Sequence, residues 1–176
     1  MNKLMATIKP LLINNLEFAI SEQVVSGSVE LAALTRLNDL LALKIERQQT
    51  AKIHYTLIGK AKKFSQPSLH LTIDAKLPTT CQRCLNEMNV LLKLDFDYLI
   101  SDSAPASFDE NDDLDWLESA REMHVWEVIE DELLIAFPIA PVHSSAHQQE
   151  CIQLTKQSGE KPNPFAALKD FAKKPS

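Results

Sequence analysis

Cys81-Gln82-Arg83-Cys84 is the strongest chemical signal in the chain, since two thiolates two residues apart can point the same way and hold one borderline cation at about 2.3 Å. Such a pair is half of a tetrahedral site. The other donors could come from Cys151 with either His143 or His147, which offer the sulfur and nitrogen that zinc accepts. A redox dithiol would sit at the N-terminus of a helix after a parallel strand, where the macrodipole lowers the first thiol's pKa. Here the pair lies between two alternating, strand-like segments, so that reading is set aside. A third reading makes all three cysteines small core residues, because free cysteine is among the most buried side chains. Spacing alone leaves the structural zinc site and the plain core reading both open.

The second conspicuous run is Glu127-Val128-Ile129-Glu130-Asp131-Glu132. Its carboxylates could be ligands for a hard cation or an acid/base pair. On a helix, however, Glu127, Glu130 and Asp131 share a face away from Val128, Leu133 and Leu134, which predicts a solvated face. No nucleophile accompanies it. His54 and His70 fall on polar strand faces and are expected at the surface. There is no G-x-G-x-x-G, Walker loop, G-x-S-x-G or H-E-x-x-H motif, and with 3 glycines a phosphate-cradling loop is hard to build. The expectation is a protein that is not an enzyme and takes no small-molecule substrate. Tyr55, Phe64, His54 and the lysines at 60, 62 and 63 form the one aromatic and basic neighbourhood, although alternating aromatics are more often core. Lys60, Lys62, Lys63 and Arg83 are the best candidates for RNA phosphate contacts.

These groups need elements to position them. Leu31, Leu34, Leu37, Leu40 and Leu41 recur at helical spacing, so 29–42 reads as one amphipathic helix, with Gly27-Ser28 as the break and cap before it. From about residue 50 the period becomes two. Ile53, Tyr55 and Leu57 mark a first strand, Lys60 to Lys63 a basic turn, and Leu69, Leu71, Ile73, Ala75 and Leu77 a second strand. Val90, Leu92, Leu94, Phe96, Tyr98 and Ile100 mark a third. Alternation with short connections predicts antiparallel strands, each with one buried and one wet face. The acidic, proline-bearing stretch 101–113 reads as a loop. Val125, Val128, Ile129, Leu133, Leu134 and Phe137 lie on one face of a later helix that Pro138 ends. The expected architecture is α+β. One domain spans 1–155, an antiparallel sheet with an N-terminal amphipathic helix and a C-terminal helix packed on it, followed by an extended, loosely attached tail at 156–176.

Bulk properties agree with a small globular protein. A chain of 176 residues with 45% hydrophobic content can bury a core, and no apolar run approaches the roughly 18 residues a spanning helix needs. The first ten residues, with Lys3, Lys9 and Pro10, do not resemble a signal peptide, and the odd cysteine count argues against a disulfide framework, so a cytoplasmic protein without membrane contact is expected. The net charge of −6 is unevenly spread. Residues 1–100 hold 12 Lys+Arg against 9 Asp+Glu, 101–132 hold 1 against 12, and 133–176 hold 5 against 3. The acidity therefore belongs to one stretch, and the whole-chain pI neither establishes nor excludes an RNA-facing surface.

Taken in order, several of these pieces resemble the YceD family of large ribosomal RNA subunit accumulation proteins. The matching residues are Cys-Gln-Arg-Cys-Leu at 81–85, Val-Ile-Glu-Asp-Glu-Leu-Leu-Ile-Ala-Phe-Pro at 128–138, Pro141-Val142-His143, Cys151, and Asn163-Pro164-Phe165-Ala166-Ala167-Leu168. The resemblance carries Cys81, Cys84 and Cys151 over as the motif cysteines and His143 as its histidine. It departs from the family in having Asn86-Glu87 where a proline often follows the second cysteine, and in a longer interval from His143 to Cys151. It implies a non-enzymatic ribosome-biogenesis factor supporting the synthesis, processing or stability of large-subunit (23S) ribosomal RNA, with that RNA or its precursor as partner. The alternative is an adaptor whose acidic stretch 102–132 docks a basic large-subunit ribosomal protein without touching RNA.

Overall fold

The computed structural model describes residues 11–41, 51–63, 66–102, 114–143 and 151. Phe64, His147, the acidic stretch from 103 to 113 and the tail at 156–176 lie outside the described residues. The chain divides into two compact units, Met1–Thr79 with Asn89–Ile139, and Thr80–Met88 with Ala140–Ser176.

The first unit is built on a five-stranded sheet in the order β2-β3-β4-β5-β6, from β2 (Val24–Glu30), β3 (Lys52–Lys63), β4 (Gln66–Thr80), β5 (Glu87–Ser101) and β6 (Leu114–Glu118). The period-two alternation forms as expected along β4. Leu69, Leu71, Ile73, Ala75 and Leu77 are buried, while Asp74 and Lys76 are exposed between them. Register places apolar on apolar across β3 and β4, with Tyr55 opposite Ile73, Leu57 opposite Leu71 and Gly59 opposite Leu69. At about 1.5–3 kcal/mol for each fully buried aliphatic side chain, a one-residue slip would turn this whole set to water.

Three expectations need correction. Lys60, Lys62 and Lys63 do not form a turn but continue β3, with Lys60 opposite Ser68, and a register shift falls between Lys60 and Lys63. The sheet is mixed rather than wholly antiparallel. β2, β3 and β4 pair antiparallel, but β6 runs parallel to β5, with Tyr98 opposite Asp115 and Ile100 opposite Leu117. The proposed helix over 29–42 is also broken in two. Val24–Glu30 is a strand, Leu31–Ala33 a 3-10 turn, and α2 covers Thr35–Leu41 only. Gly27 thus lies inside β2 opposite Tyr55, where a Cβ would come 3.0 Å from the Tyr55 hydroxyl. The leucine spacing was real but ambiguous. Leu31, Leu34, Leu37 and Leu41 are all buried, whereas Leu40 is exposed.

The N-terminal segment carries more structure than its irregular pattern suggested. A short α1 (Asn15–Ile20) begins where Asn14 Oδ1 accepts the Glu17 amide at 3.0 Å. Asn15, buried, is held three ways. Its Nδ2 donates to the Glu118 carbonyl at 2.9 Å, its Oδ1 accepts from Ala120 N at 2.9 Å, and its own amide donates to the Ala120 carbonyl at 3.1 Å. β1 (Leu12–Ile13) pairs antiparallel with β7 (Met123–His124), so the start of the unit is stitched beside α3 (Val125–Ala136).

α3 buries Val125, Ile129 and Leu133, with Val128 and Leu134 half-buried, as its apolar spacing demands. On its acidic side Glu127 and Asp131 are exposed, as pattern reading predicts, but Glu130 is not. Glu130 is buried, and Oε1 accepts the Leu37 amide at 3.1 Å while Oε2 accepts from Arg36 Nε at 3.0 Å. The carbonyl of Leu34 takes the first bond of α2, so Leu37 is its third helical residue. Glu130 therefore does for α2 what a polar N-cap residue would do, at a position where Leu34 offers no acceptor. These side chains join Phe18, Val29, Ile53, Leu57 and Tyr98 in one apolar core. The result is an α+β fold with a mixed sheet.

Candidate metal centre

β4 ends at Thr80 and β5 begins at Glu87, so 81–86 is the connection between two neighbouring strands. Its backbone closes on itself. Leu85 N donates to the Cys81 carbonyl at 2.9 Å, and Cys81 N donates to the Asn86 carbonyl at 2.8 Å. The turn requires Leu85 at φ 61, left-handed backbone that costs a non-glycine residue about 1–2 kcal/mol. Its side chain is exposed, leaving the interior of the turn to the sulfurs. Arg83 N points at Cys81 Sγ from 3.4 Å.

The segment after α3 meets this turn within the second unit. Gln82 N donates to the Pro141 carbonyl at 2.8 Å, which sets His143 two residues further on beside Cys84. Cys84 Sγ lies 3.4 Å from His143 Nδ1, and Cys81 Sγ lies 3.8 Å from Cys151 Sγ. The four donor atoms of Cys81, Cys84, His143 and Cys151 all fall within 4.8 Å of one another. Cys81 and Cys151 are buried, while Cys84 and His143 are half-buried.

The donor set can be tested against a tetrahedral ion. With Zn–S of about 2.3 Å and Zn–N of about 2.0–2.1 Å, tetrahedral angles require sulfurs about 3.8 Å apart and a sulfur–nitrogen edge of about 3.6 Å. Two of the six edges, the observed 3.8 and 3.4 Å, lie close to those values, and the others are within 4.8 Å. Three thiols and one imidazole are a donor set that could hold a metal ion such as zinc, with four protein ligands available to it. The long interval from His143 to Cys151 does not keep the Cys151 sulfur from the others.

Electrostatics separate the two buried thiols. Burial pushes Cys81 up, but the backbone amides of Cys84, Arg83 and His143 directed at its sulfur outweigh it and bring the pKa down to about 6. Cys151 is pushed up to about 11, first by burial and then by its neighbours Cys84 and Cys81. Amides aimed at a sulfur favour its thiolate, the form that binds metal.

The remaining candidates do not share one unit. Lys60 and Lys62 lie on β3 in the first unit, Arg83 is exposed on the cysteine turn in the second, the side chain of Lys63 lies outside the described residues, and His147 lies outside them entirely. His54 is exposed as expected, but His70 is half-buried, its Nδ1 3.0 Å from Asp97 Oδ1 and 3.5 Å from Asp95 Oδ1. The pattern also missed the Tyr98 hydroxyl, which donates to Glu132 Oε1 at 2.7 Å. Burial, then the Glu132 carboxylate, raises the tyrosine's pKa, and burial raises that of Glu132 against the lowering effect of the bond. Only the apolar spacing of β5 hinted that Tyr98 would be inside.

The described residues thus form an α+β fold with a cysteine and histidine cluster that includes a strand connection. Comparison with known families gives the class directly: residues 69–172, more than half the chain, match the profile of "Large ribosomal RNA subunit accumulation protein YceD". The chain belongs to the YceD family. It is 33% identical over 106 residues to the "Large ribosomal RNA subunit accumulation protein YceD" of Haemophilus influenzae, a match covering 53% of this chain and 59% of that relative. The match thus spans less than two thirds of that relative's length. No solved structure matches the chain significantly. Among the described residues no helix is long and apolar enough to cross a membrane.

Proposed function

We propose that this protein is a non-enzymatic factor that supports accumulation of large-subunit (23S) ribosomal RNA, with a structural zinc ion held by Cys81, Cys84, His143 and Cys151. The family membership carries the first half of this reading, since its profile and the Haemophilus relative are both described by large ribosomal RNA subunit accumulation. The two edges close to tetrahedral values carry the second. A donor set filled by four protein ligands suits a scaffold rather than a catalyst. The role acts in the cytoplasm, on the large-subunit RNA or its precursor.

Deleting the gene tests the role. The expected result is a fall in 23S relative to 16S RNA and a deficit of large subunits, both restored by the wild-type gene; unchanged RNA ratios would sink it. A second reading has an observation of its own. β6 and the first eight residues of α3 lie within the stretch where acidic residues outnumber basic ones 12 to 1, and Asp115, Glu118, Glu127 and Asp131 there are exposed. Such a surface suits a basic ribosomal protein better than RNA phosphate. Cross-linking in cells separates the two: RNA covalently recovered with the protein supports direct contact, and a ribosomal protein without RNA supports the adaptor.

A further inference from the structure

The four donors are not equivalent in their surroundings. Cys81 Sγ and Cys151 Sγ, 70 residues apart in sequence, already touch at 3.8 Å with both residues buried. Cys84, on the open side with His143, is the sulfur that solvent-borne reagents reach first. A disulfide needs its sulfurs at about 2.05 Å, a closure that side-chain rotation can supply from contact distance. Joining this buried pair would keep the turn at 81–86 tied to the segment at 151 by a covalent bond in place of a metal.

We infer that the cluster is an oxidant-responsive clip, in which hydrogen peroxide exchanges the metal tie for a Cys81–Cys151 disulfide while Cys84 serves as the entry sulfur and is returned as a thiol. The inference rests on the zinc reading above and adds its regulation. Cys84 sulfur attacks one oxygen of the peroxide, the O–O bond breaks, and one water leaves with Cys84 as sulfenic acid. Cys151 thiolate then attacks Cys84 sulfur, forming an S–S bond and expelling hydroxide, which takes a proton from solvent and leaves as a second water. Cys81 attacks the sulfur of Cys151 and displaces Cys84. The balance is two thiolates oxidised to one disulfide and one peroxide reduced, with two protons from solvent, to two waters. With Cys81 and Cys151 joined, only Cys84 and His143 would remain to hold the ion, too few to retain it.

This differs from the common outcome in which a zinc-thiolate site unfolds on oxidation. Here the two ends that the ion joined remain joined, and the buried location of the new bond slows its reduction. The lost ion and the freed Cys84 and His143 are the signal.

The sequence offers a clean test. Trypsin cuts after Lys76, Arg83, Lys93, Arg121 and Lys156, which puts Cys81, Cys84 and Cys151 on three separate peptides. The full-length chain is reduced, reconstituted with zinc and assayed for metal, then treated with hydrogen peroxide beside a chromogenic zinc chelator, alkylated, and mapped without reductant. Expected are one zinc per chain before treatment, its release with loss of two thiols, a linked pair of the Cys81 and Cys151 peptides with Cys84 alkylated, and reversal by dithiothreitol plus zinc. No zinc in the reconstituted chain would overturn the metal reading and the exchange together. One zinc per chain followed by a Cys81–Cys84 or Cys84–Cys151 link as the final product, by sulfinic acids, by links between chains, or by untouched thiols would overturn the exchange alone.

Discussion

The carboxylate of Glu130 accepts the amide of Leu37 from 93 residues away, and the same carboxylate holds the Nε of Arg36. α2 is therefore capped by α3. Replacing Glu130 with Ala removes a cap worth about 1 kcal/mol and a charge-assisted bond worth about 1.5–3 kcal/mol, so a net loss of about 2–3 kcal/mol is expected in urea unfolding. Arg36 is half-exposed, and Arg36→Ala should cost less than about 1 kcal/mol. Equal losses for the two variants would mean that the ion pair, and not the cap, is what matters.

Tyr98 and Glu132 give a pH signature. Glu132 titrates above its ordinary value of 4.5 in the folded chain, chiefly because it is partly buried. The folded state then holds that proton more tightly than the unfolded state does, so Glu132 destabilises the fold above its raised pKa and ceases to do so as the pH falls toward 4.5. Glu132→Gln should remove this slope while keeping an acceptor for the Tyr98 hydroxyl. Tyr98→Phe should cost about 2 kcal/mol at neutral pH. Thermal melts of the three proteins from pH 5 to 8 check both, and a slope that survives in Glu132→Gln refutes the assignment.

Gly59 is a packing requirement. A Cβ there would overlap the Phe18 carbonyl oxygen and come within 2.8 Å of Ala19 Cα, both backbone atoms that cannot swing aside. Gly59→Ala should destabilise by about 1–3 kcal/mol or more, whereas Gly27→Ala, which meets only the end of the Tyr55 side chain, should cost less. Denaturant midpoints of the two variants give the comparison directly.

The metal centre predicts ligand-specific losses. Cys81→Ser or Cys151→Ser should lower zinc affinity at least about 100-fold, and Arg83→Ala, which keeps its amide, should leave it unchanged. Competition with a zinc-responsive dye measures each constant. Retention of tight binding by Cys151→Ser would remove that residue from the ligand set.

How much of this was legible beforehand depended on the range of each interaction. The strands β3, β4 and β5 and the helix at 125–136 could be read because their burial is set by neighbours two or four residues away. The leucines at 31, 34, 37 and 41 misled because a 3-10 turn followed by a short helix buries the same positions that one continuous helix would. β6 was hidden inside an acidic stretch, where Asp115 and Glu118 masked a five-residue strand. Glu130 looked solvated since nothing local announces that Arg36 and the Leu37 amide will arrive opposite it. Conversely, the C-x-x-C turn was plain from spacing, but its meeting with His143 and Cys151 depends on the Gln82 to Pro141 bond, which no periodicity encodes.

The segment shared with relatives starts at Leu69, inside β4, while the neighbour that covers this strand residue by residue, β3, lies wholly upstream. The boundary of likeness and the boundary of mechanical integrity are therefore different lines. A graft limited to 69–172 would leave Leu71 and Ile73 without Leu57 and Tyr55 across from them and open a raw strand edge to aggregation. Chimeras meant to exchange function within the family must carry β2 and β3 along with the cysteine turn.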